Sequence, residues 1–354
     1  MSRRFFGKGP FRGGFFASKA FGLLVLVAAV VLVGAIATYD ASLGGSRLLS
    51  ARNLDNLLPR VGRFGVLSLA AAFVMLTGGI DLSIGAVVCV AGCLLPVLVG
   101  AGVAPGLALV VVLGICALIG LWHGVLVVGV GLQPFVVTLC GLLVYRGAMR
   151  VVTDDQSMSL GAAAESLRWL SVGTVELGPL RVPVVVGLLL LLALATAVLW
   201  HRTVLGRYLF ALGRNEEAAR FAGVPTGRCT VLAYVLCSLL AGLGGCLLML
   251  DVNSVQASTF GNFYELCAIA GAVLGGVALR GGEGSVTGLV LGVLLMQLLS
   301  NVLNLTLRDN RLEFVVVGGV ILLGAAADEG VRRWLARRVR VDSRRVDGRR
   351  INGS

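Results

Sequence analysis

Residues 64–145 hold one formally charged side chain, Asp81, in a stretch that is otherwise almost wholly apolar. No water-soluble fold tolerates that pattern over such a length, because a soluble domain is about 25% charged and about 45–50% apolar. Here the whole chain is 14% charged and 57% hydrophobic, with a mean hydropathy of +0.95. A helix needs roughly 20 predominantly apolar residues to cross lipid. Scanning for such runs predicts about ten spans, near 20–38, 61–79, 82–101, 105–130, 134–152, 182–200, 230–250, 266–280, 285–304 and 312–327. The runs are continuously apolar, which excludes a β-barrel, whose strands alternate. The expected fold is an all-α polytopic membrane protein. Its 50 glycines suit helices that pack by close backbone approach, since lipid gives little hydrophobic drive between them.

The net charge of +12 reads as topology rather than as a nucleic-acid signal. With the N-terminus in the cytosol and ten spans, both termini are cytosolic, and the inner segments carry 20 Lys and Arg against 10 outside. That bias follows the positive-inside rule. The segment 39–63 runs against it, because Arg47, Arg52, Arg60 and Arg63 then fall outside. Three regions follow: a basic arm at 1–19, a permeation domain at 20–328, and a basic tail at 329–354 that meets the membrane surface and its anionic lipid. The first apolar run is long for a signal peptide, so it is expected to remain as a span. The eight cysteines lie mostly in spans without a CxxC pair, and only two histidines exist. We expect packing thiols, with neither metal nor disulfide.

Two lysines occur, Lys8 and Lys19, and neither belongs to GxxxxGK[ST]. The chain therefore has no P-loop, and no clustered catalytic groups are evident. The informative polar segment is 201–229, HRTVLGRYLFALGRNEEAARFAGVPTGRC. Within it Asn215 is placed to N-cap a short amphipathic helix, with Glu216 and Glu217 in the favourable first turn. Gly223 ends that helix and Pro225 follows. Ala218 and Phe221 share one face.

Two glycine-rich junctions stand out. LTGGIDLSIG at 76–85 contains Gly78, Gly79, Asp81 and Ser83, and RGGEGSVTG at 280–288 contains Gly281, Gly282 and Glu283. We read their likeness as shared turn chemistry, not an internal repeat, and place both on the cytosolic side. Asp81 is expected at the membrane-face junction of the second and third spans, not at mid-bilayer. There its carboxylate accepts from the N–H of Ser83 or Ile84 as a helix N-cap, the alternative being a direct contact with the solute. Glu265, in FYELC, reads as a helix-dipole partner or alternatively as a pathway residue.

E-A-A-x-x-x-G, formed by Glu217, Ala218, Ala219 and Gly223, resembles the coupling motif of ABC-importer permease subunits. Further motifs are similar to the ribose-type sugar permeases, within the branched-chain amino acid and sugar permease superfamily. They are LTGGIDLSIG, QPFVVTLCGLLVYRG (133–147), GRYLFALGRNEEAARFAGV (206–224), YELCAIAGAVLGGVALRGGEGSVTG (264–288) and NVLNL (301–305), in the same order. The chain departs from that branch at Cys267, where an aspartate is usual, and at the pair Asp154–Asp155, which is usually absent.

The resemblance implies a subunit of the bacterial plasma (inner) membrane that forms a translocation pathway for a ribose-like monosaccharide. Two permease subunits, identical or homologous, would stand above two ATPase subunits. A periplasmic or external sugar-binding protein would deliver the solute. ATP would be bound by the partner, leaving this chain non-catalytic and without a cofactor. Asn215, Glu216, Glu217, Ala218, Ala219 and Gly223 would then meet the ATPase. Alternatives are a permease for branched-chain amino acids or another small polar solute, and an ion-coupled secondary transporter. The last would need intramembrane relays of titratable groups, of which the chain shows little beyond Asp81.

Overall fold

A computed structural model describes residues 14–40, 44–161, 165–178 and 180–307, with five single positions beyond them. Twelve helices run through these segments: α1 (Gly14–Ala37), α2 (Ala51–Leu76), α3 (Ile84–Gly100), α4 (Pro105–Gly129), α5 (Pro134–Val152), α6 (Glu165–Val172), α7 (Val184–Arg202), α8 (Val204–Arg214), α9 (Glu216–Phe221), α10 (Thr226–Val252), α11 (Tyr264–Leu274) and α12 (Val286–Leu307). Seven of them, α1, α2, α4, α5, α7, α10 and α12, are long and apolar enough to cross a membrane. The chain is an all-α, multi-pass membrane protein. The tenth expected span, 312–327, lies outside the described residues apart from single positions.

Three expected boundaries move. The second span begins at Ala51 rather than 61, so the arginine-bearing segment up to Arg63 forms the first turns of α2. Ser50 caps it, accepting from the Asn53 N–H at 3.3 Å. The third and eighth spans are short helices: α3 starts only at Ile84, and α11 stops at Leu274. Residues 275–285 complete the eighth tract without helix, because Gly276, Gly281 and Gly282 take positive φ there. Proline at the first helical position starts α4 and α5.

The buried centre is built from α2, α3, α10, α11 and α12, while α1, α4, α5 and α7 present large apolar side chains outward, Leu32, Leu118, Leu143 and Leu194 among them. Close approach is made where glycine allows it. A Cβ on Gly120 would strike the Tyr234 carbonyl, and one on Gly124 would meet the Val231 Cα at 2.6 Å, so α4 and α10 cross in backbone contact. Inside the core Asn53 of α2 and Asn301 of α12 pair reciprocally, amide to amide, at 2.9 and 3.0 Å. Reciprocal pairing satisfies two buried amides that would otherwise be costly in lipid. No disulfide joins the described cysteines.

The bundle has two distinct ends. One carries α8 and α9, together with the C-terminus of α2 and the glycine-rich turn at 280–283. The other carries α6, the hairpin Thr174–Leu177/Leu180–Pro183, and a short pairing of Met158–Ser159 with Ser254–Val255.

Candidate functional site

At the first end, Asn215 separates α8 from α9 with an extended backbone, and its Oδ1 accepts the Ala218 N–H at 2.9 Å. Glu216 and Glu217 occupy the first turn, where a helix N-terminus favours negative charge. Gly223, at φ +80°, closes the helix. Its N–H donates to the Arg220 carbonyl and the Val224 N–H donates to the Ala219 carbonyl, each at 3.0 Å. Those two bonds form a Schellman motif, which needs the left-handed residue. Of the coupling residues only Ala219 is buried; Glu216, Glu217, Ala218, Arg220 and Gly223 face solvent, and Phe221 is 81% exposed. An amphipathic surface with an uncovered phenylalanine is thus presented beyond the bundle.

That surface is tied directly to the core. The last turn of α8 places Gly213 against the Leu76 carbonyl and the Gly282 amide, leaving no room for a Cβ. Gly282 donates its N–H to the Leu76 carbonyl at 2.9 Å, and Arg214 Nε donates to the Gly282 carbonyl at 3.3 Å. Gly78, at φ +86°, lies under the Arg280 carbonyl, and Gly281 packs on the Gly78 amide. So Gly78, Gly281 and Gly282, from two junctions far apart in the sequence, meet at one node beside α8. The Glu283 carbonyl closes the second turn by accepting the Ala278 N–H at 3.0 Å.

Asp81 is elsewhere than expected. After the α2 C-terminus, residues 79–83 run without helix back into the bundle, alongside α10. A Cβ on Gly79 would lie 3.1 Å from the Tyr234 hydroxyl, and the Asp81 carboxylate accepts from the Cys237 thiol at 3.5 Å. Cys237 is eleven residues into α10, about 16 Å along its axis from Thr226. Asp81, only 2% exposed, therefore sits deep in the bundle and not at its face. The physical reason is that α3 is a partial helix starting in the interior, reached by a non-helical segment.

The carboxylate is satisfied locally. One oxygen accepts the Ser83 N–H at 2.8 Å and the Ser83 hydroxyl at 2.6 Å. Ser83 itself is the residue at the N-cap position, but its hydroxyl is spent on Asp81 and makes no cap bond of its own. The pair together finishes the N-terminus of α3 by an Asp-turn variant of capping.

Glu265 lies in the first turn of α11, buried, with its Oε2 lacking a hydrogen-bond partner among the described residues. It presses on Gly85 of α3, where a Cβ would collide with Oε2 and with the Gly261 carbonyl. Nearby, Arg146 of α5 caps the Phe260 and Ala257 carbonyls at 3.0 and 3.2 Å, holding the segment before α11 inside the bundle.

At the opposite end a cavity of about 490 Å³ opens between α2, α6, α10 and α11. Its polar walls are Asp55, Arg60, Arg63, Asp251 and Asn262, and its aromatic wall is Phe64 with Tyr264, edge to face at 5.2 Å. Arg63 holds Asp251 at 2.9 Å, with 6% of the arginine side chain and 33% of the aspartate exposed. A second arginine nitrogen donates to Ser171 Oγ at 3.4 Å, whose hydroxyl in turn donates to the Leu247 carbonyl at 2.6 Å. Charged and amide groups beside aromatic faces suit a small polyhydroxylated solute, which needs many hydrogen bonds and one apolar face covered. Cys267 lines the same cavity. Sequence reading did not find this site: Arg63 and Asp251 are 188 residues apart, and the one available signal was that each is the charge bordering a long apolar tract.

The unusual pair Asp154–Asp155 lies at this end too. Asp155 accepts from the Ser258 N–H at 3.2 Å, receives the Gln256 amide on its carbonyl at 2.9 Å, and pairs with Arg150 at 3.0 Å. It fastens the loop after α5 to the segment before α11.

Comparison with known proteins agrees with this architecture. Residues 53–325 match the family model described as branched-chain amino acid transport system / permease component. The ribose import permease protein RbsC of Escherichia coli (strain K12) is 34% identical over 305 residues, covering 86% of this chain and 92% of that protein. Its namesake in Bacillus subtilis (strain 168) is 35% identical over 79% of this chain and 85% of its own length. The fructose import permease protein FrcC of Rhizobium meliloti is 31% identical over 87% and 86%. No solved structure matches the chain significantly. With most of its length matched, this chain belongs to the branched-chain amino acid transport system / permease component family.

Proposed function

We propose that the chain is the non-catalytic, membrane-spanning subunit of an ATP-binding-cassette importer for a ribose-like monosaccharide in the bacterial inner membrane. The observation that carries this reading is the likeness, along 86% of the chain, to a ribose import permease. Relatives named for fructose and xylose support the same solute class. The polar and aromatic cavity beside Arg63 and Tyr264 is compatible with it.

The finer points belong to the same proposal. Ten spans put both termini in the cytosol, and the charge bias supports the α8–α9 end as the cytosolic one. Asn215, Glu216, Glu217, Ala218, Ala219 and Gly223 dock on an ATPase subunit. A binding protein delivers sugar at the opposite end, and a second permease subunit completes the pathway. Closure of the ATPase pair pushes α9. The push passes through α8 to the Gly213–Leu76–Gly282 node, and so to the segment that carries Asp81. Rigid-body switching of this kind needs backbone contacts that do not yield, which glycines at van der Waals distance supply.

Reconstitution tests the reading. The chain, its ATPase partner and a binding protein are placed in proteoliposomes with labelled ribose. Uptake should require ATP, persist when a proton gradient is collapsed, and be displaced by unlabelled ribose but not by leucine. Uptake that fails with an uncoupler and survives ATP removal would sink it.

A further inference from the structure

A second cavity, of about 790 Å³, has nothing to do with the polar one. It is a groove between α4 and α10 near the α9 end, walled by Leu121 and Val128 on one side and by Val231 and Val235 on the other, with Arg220 and Arg228 at its mouth. Val235 is seven residues beyond Arg228, so the groove extends roughly 10 Å along α10 from the charged mouth. On the topology proposed above, with the α9 end cytosolic, that depth lies within the hydrocarbon, beyond the reach of a cytosolic subunit. Its floor is fixed, because α4 and α10 touch through Gly124 and through Gly227, whose Cβ would lie 2.7 Å from the Val128 side chain.

The mouth is cationic. Arg220 and Arg228 are exposed, and neither forms an ion pair within 4.0 Å among the described residues. Glu216 and Glu217 sit on the same short helix as Arg220 and likewise pair with no arginine there. The first turn of α10 lines the mouth as well, adding the positive end of a helix dipole.

We infer that this groove is a binding site for one anionic phospholipid of the cytosolic leaflet. An acyl chain fills the apolar slot and the phosphate is held by the two guanidinium groups. Charge complementarity selects the occupant: an apolar slot inside the bilayer takes a hydrocarbon chain, and two arginines at headgroup level select a phosphate bearing net negative charge. Arginine forks match phosphate oxygens in pairs, which a zwitterionic headgroup offsets with its own cation. Because Arg220 belongs to α9 and Arg228 to α10, the lipid joins the helix facing the ATPase to a membrane helix. The slot does not depend on which solute is carried.

The test uses the full chain, purified in mild detergent with its ATPase partner, and native mass spectrometry after exchange into mixed phosphatidylglycerol and phosphatidylcholine. The wild-type protein should retain phosphatidylglycerol at least tenfold over phosphatidylcholine. The pair Arg220→Gln/Arg228→Gln should lose that preference. Arg207→Gln, an exposed arginine of α8 outside the groove, should keep it, and Val231→Trp should lose bound lipid while retaining both arginines. The wild-type lipid comparison needs no variant to fold, and equal retention of the two lipids overturns the assignment. So does undiminished phosphatidylglycerol binding in the double variant. A third overturning result is a cross-link from Val231→Cys to a second copy of the chain, which would mean that protein fills the groove.

Discussion

The Gly282 amide donates to the Leu76 carbonyl at 2.9 Å, joining the end of α2 to the turn between α11 and α12. Gly213 of α8 fits against both partners of that bond, with no space for a side chain. A movement of α8 is therefore felt at once by two segments at this end of the bundle, one of which leads inward to Asp81 and α3.

Gly213→Ala should separate coupling from assembly. The added methyl forces the node apart, and overpacking of this kind costs about 1–3 kcal/mol. We expect ATPase association to persist and ATP-driven uptake to fall by at least tenfold. Pull-down and proteoliposome uptake on the same preparation check it, and unchanged uptake would show that the node transmits nothing.

Asp81 offers a graded pair. Asp81→Asn keeps an oxygen for the Ser83 N–H, whereas Asp81→Leu leaves both the amide and the hydroxyl of Ser83 without their acceptor. An unsatisfied buried donor costs about 1–3 kcal/mol, so the leucine variant should be the less stable in thermal unfolding in detergent. Equal, complete loss of transport in two equally stable proteins would mean that the charge itself is required.

Arg63 and Asp251 should respond unequally. Removing the aspartate strands a buried guanidinium, while removing the arginine leaves a carboxylate that is one-third exposed and can be hydrated. Breaking a buried pair costs about 3–5 kcal/mol when the remaining charge cannot reach water. Asp251→Ala is therefore expected to lower Tm clearly more than Arg63→Met. The reverse order would place Asp251, not Arg63, in the drier surroundings.

Glu217→Arg should weaken ATPase association and uptake while leaving membrane insertion intact, because the side chain is exposed and touches no core. Gly223→Ala acts differently: a methyl at φ +80° strains the Schellman turn by about 1 kcal/mol and should only lower the stability of α9. Co-purification yield distinguishes the two, and full ATPase recovery with Glu217→Arg would remove that residue from the docking surface.

Much of the local structure was legible. Apolar length announced the spans, and Asn215 and Gly223 bracket α9 by chemistry confined to a few neighbouring residues. One span was misjudged. The tract at 82–101 is helical almost end to end as α3, but the tract at 266–280 has the composition of a full span and α11 stops at Leu274, because the glycine-rich segment after it leaves the helical path. Composition measures hydrophobicity, and it does not say whether a glycine turns outward at the membrane face or leads the chain back inside.

The sequence by itself determined that this chain lives in lipid, roughly where most of its spans lie, how α9 is capped, and which family it resembles, since each follows from apolar runs and local caps. Only the tertiary structure decided that Asn53 meets Asn301, that Arg63 meets Asp251, and that Asp81 lies beside Cys237 deep in the bundle. In an apolar chain the packing surfaces are nearly uniform, so the choice of helix neighbours leaves no local imprint. Shape, glycine contact and a few distant polar pairs settle it together.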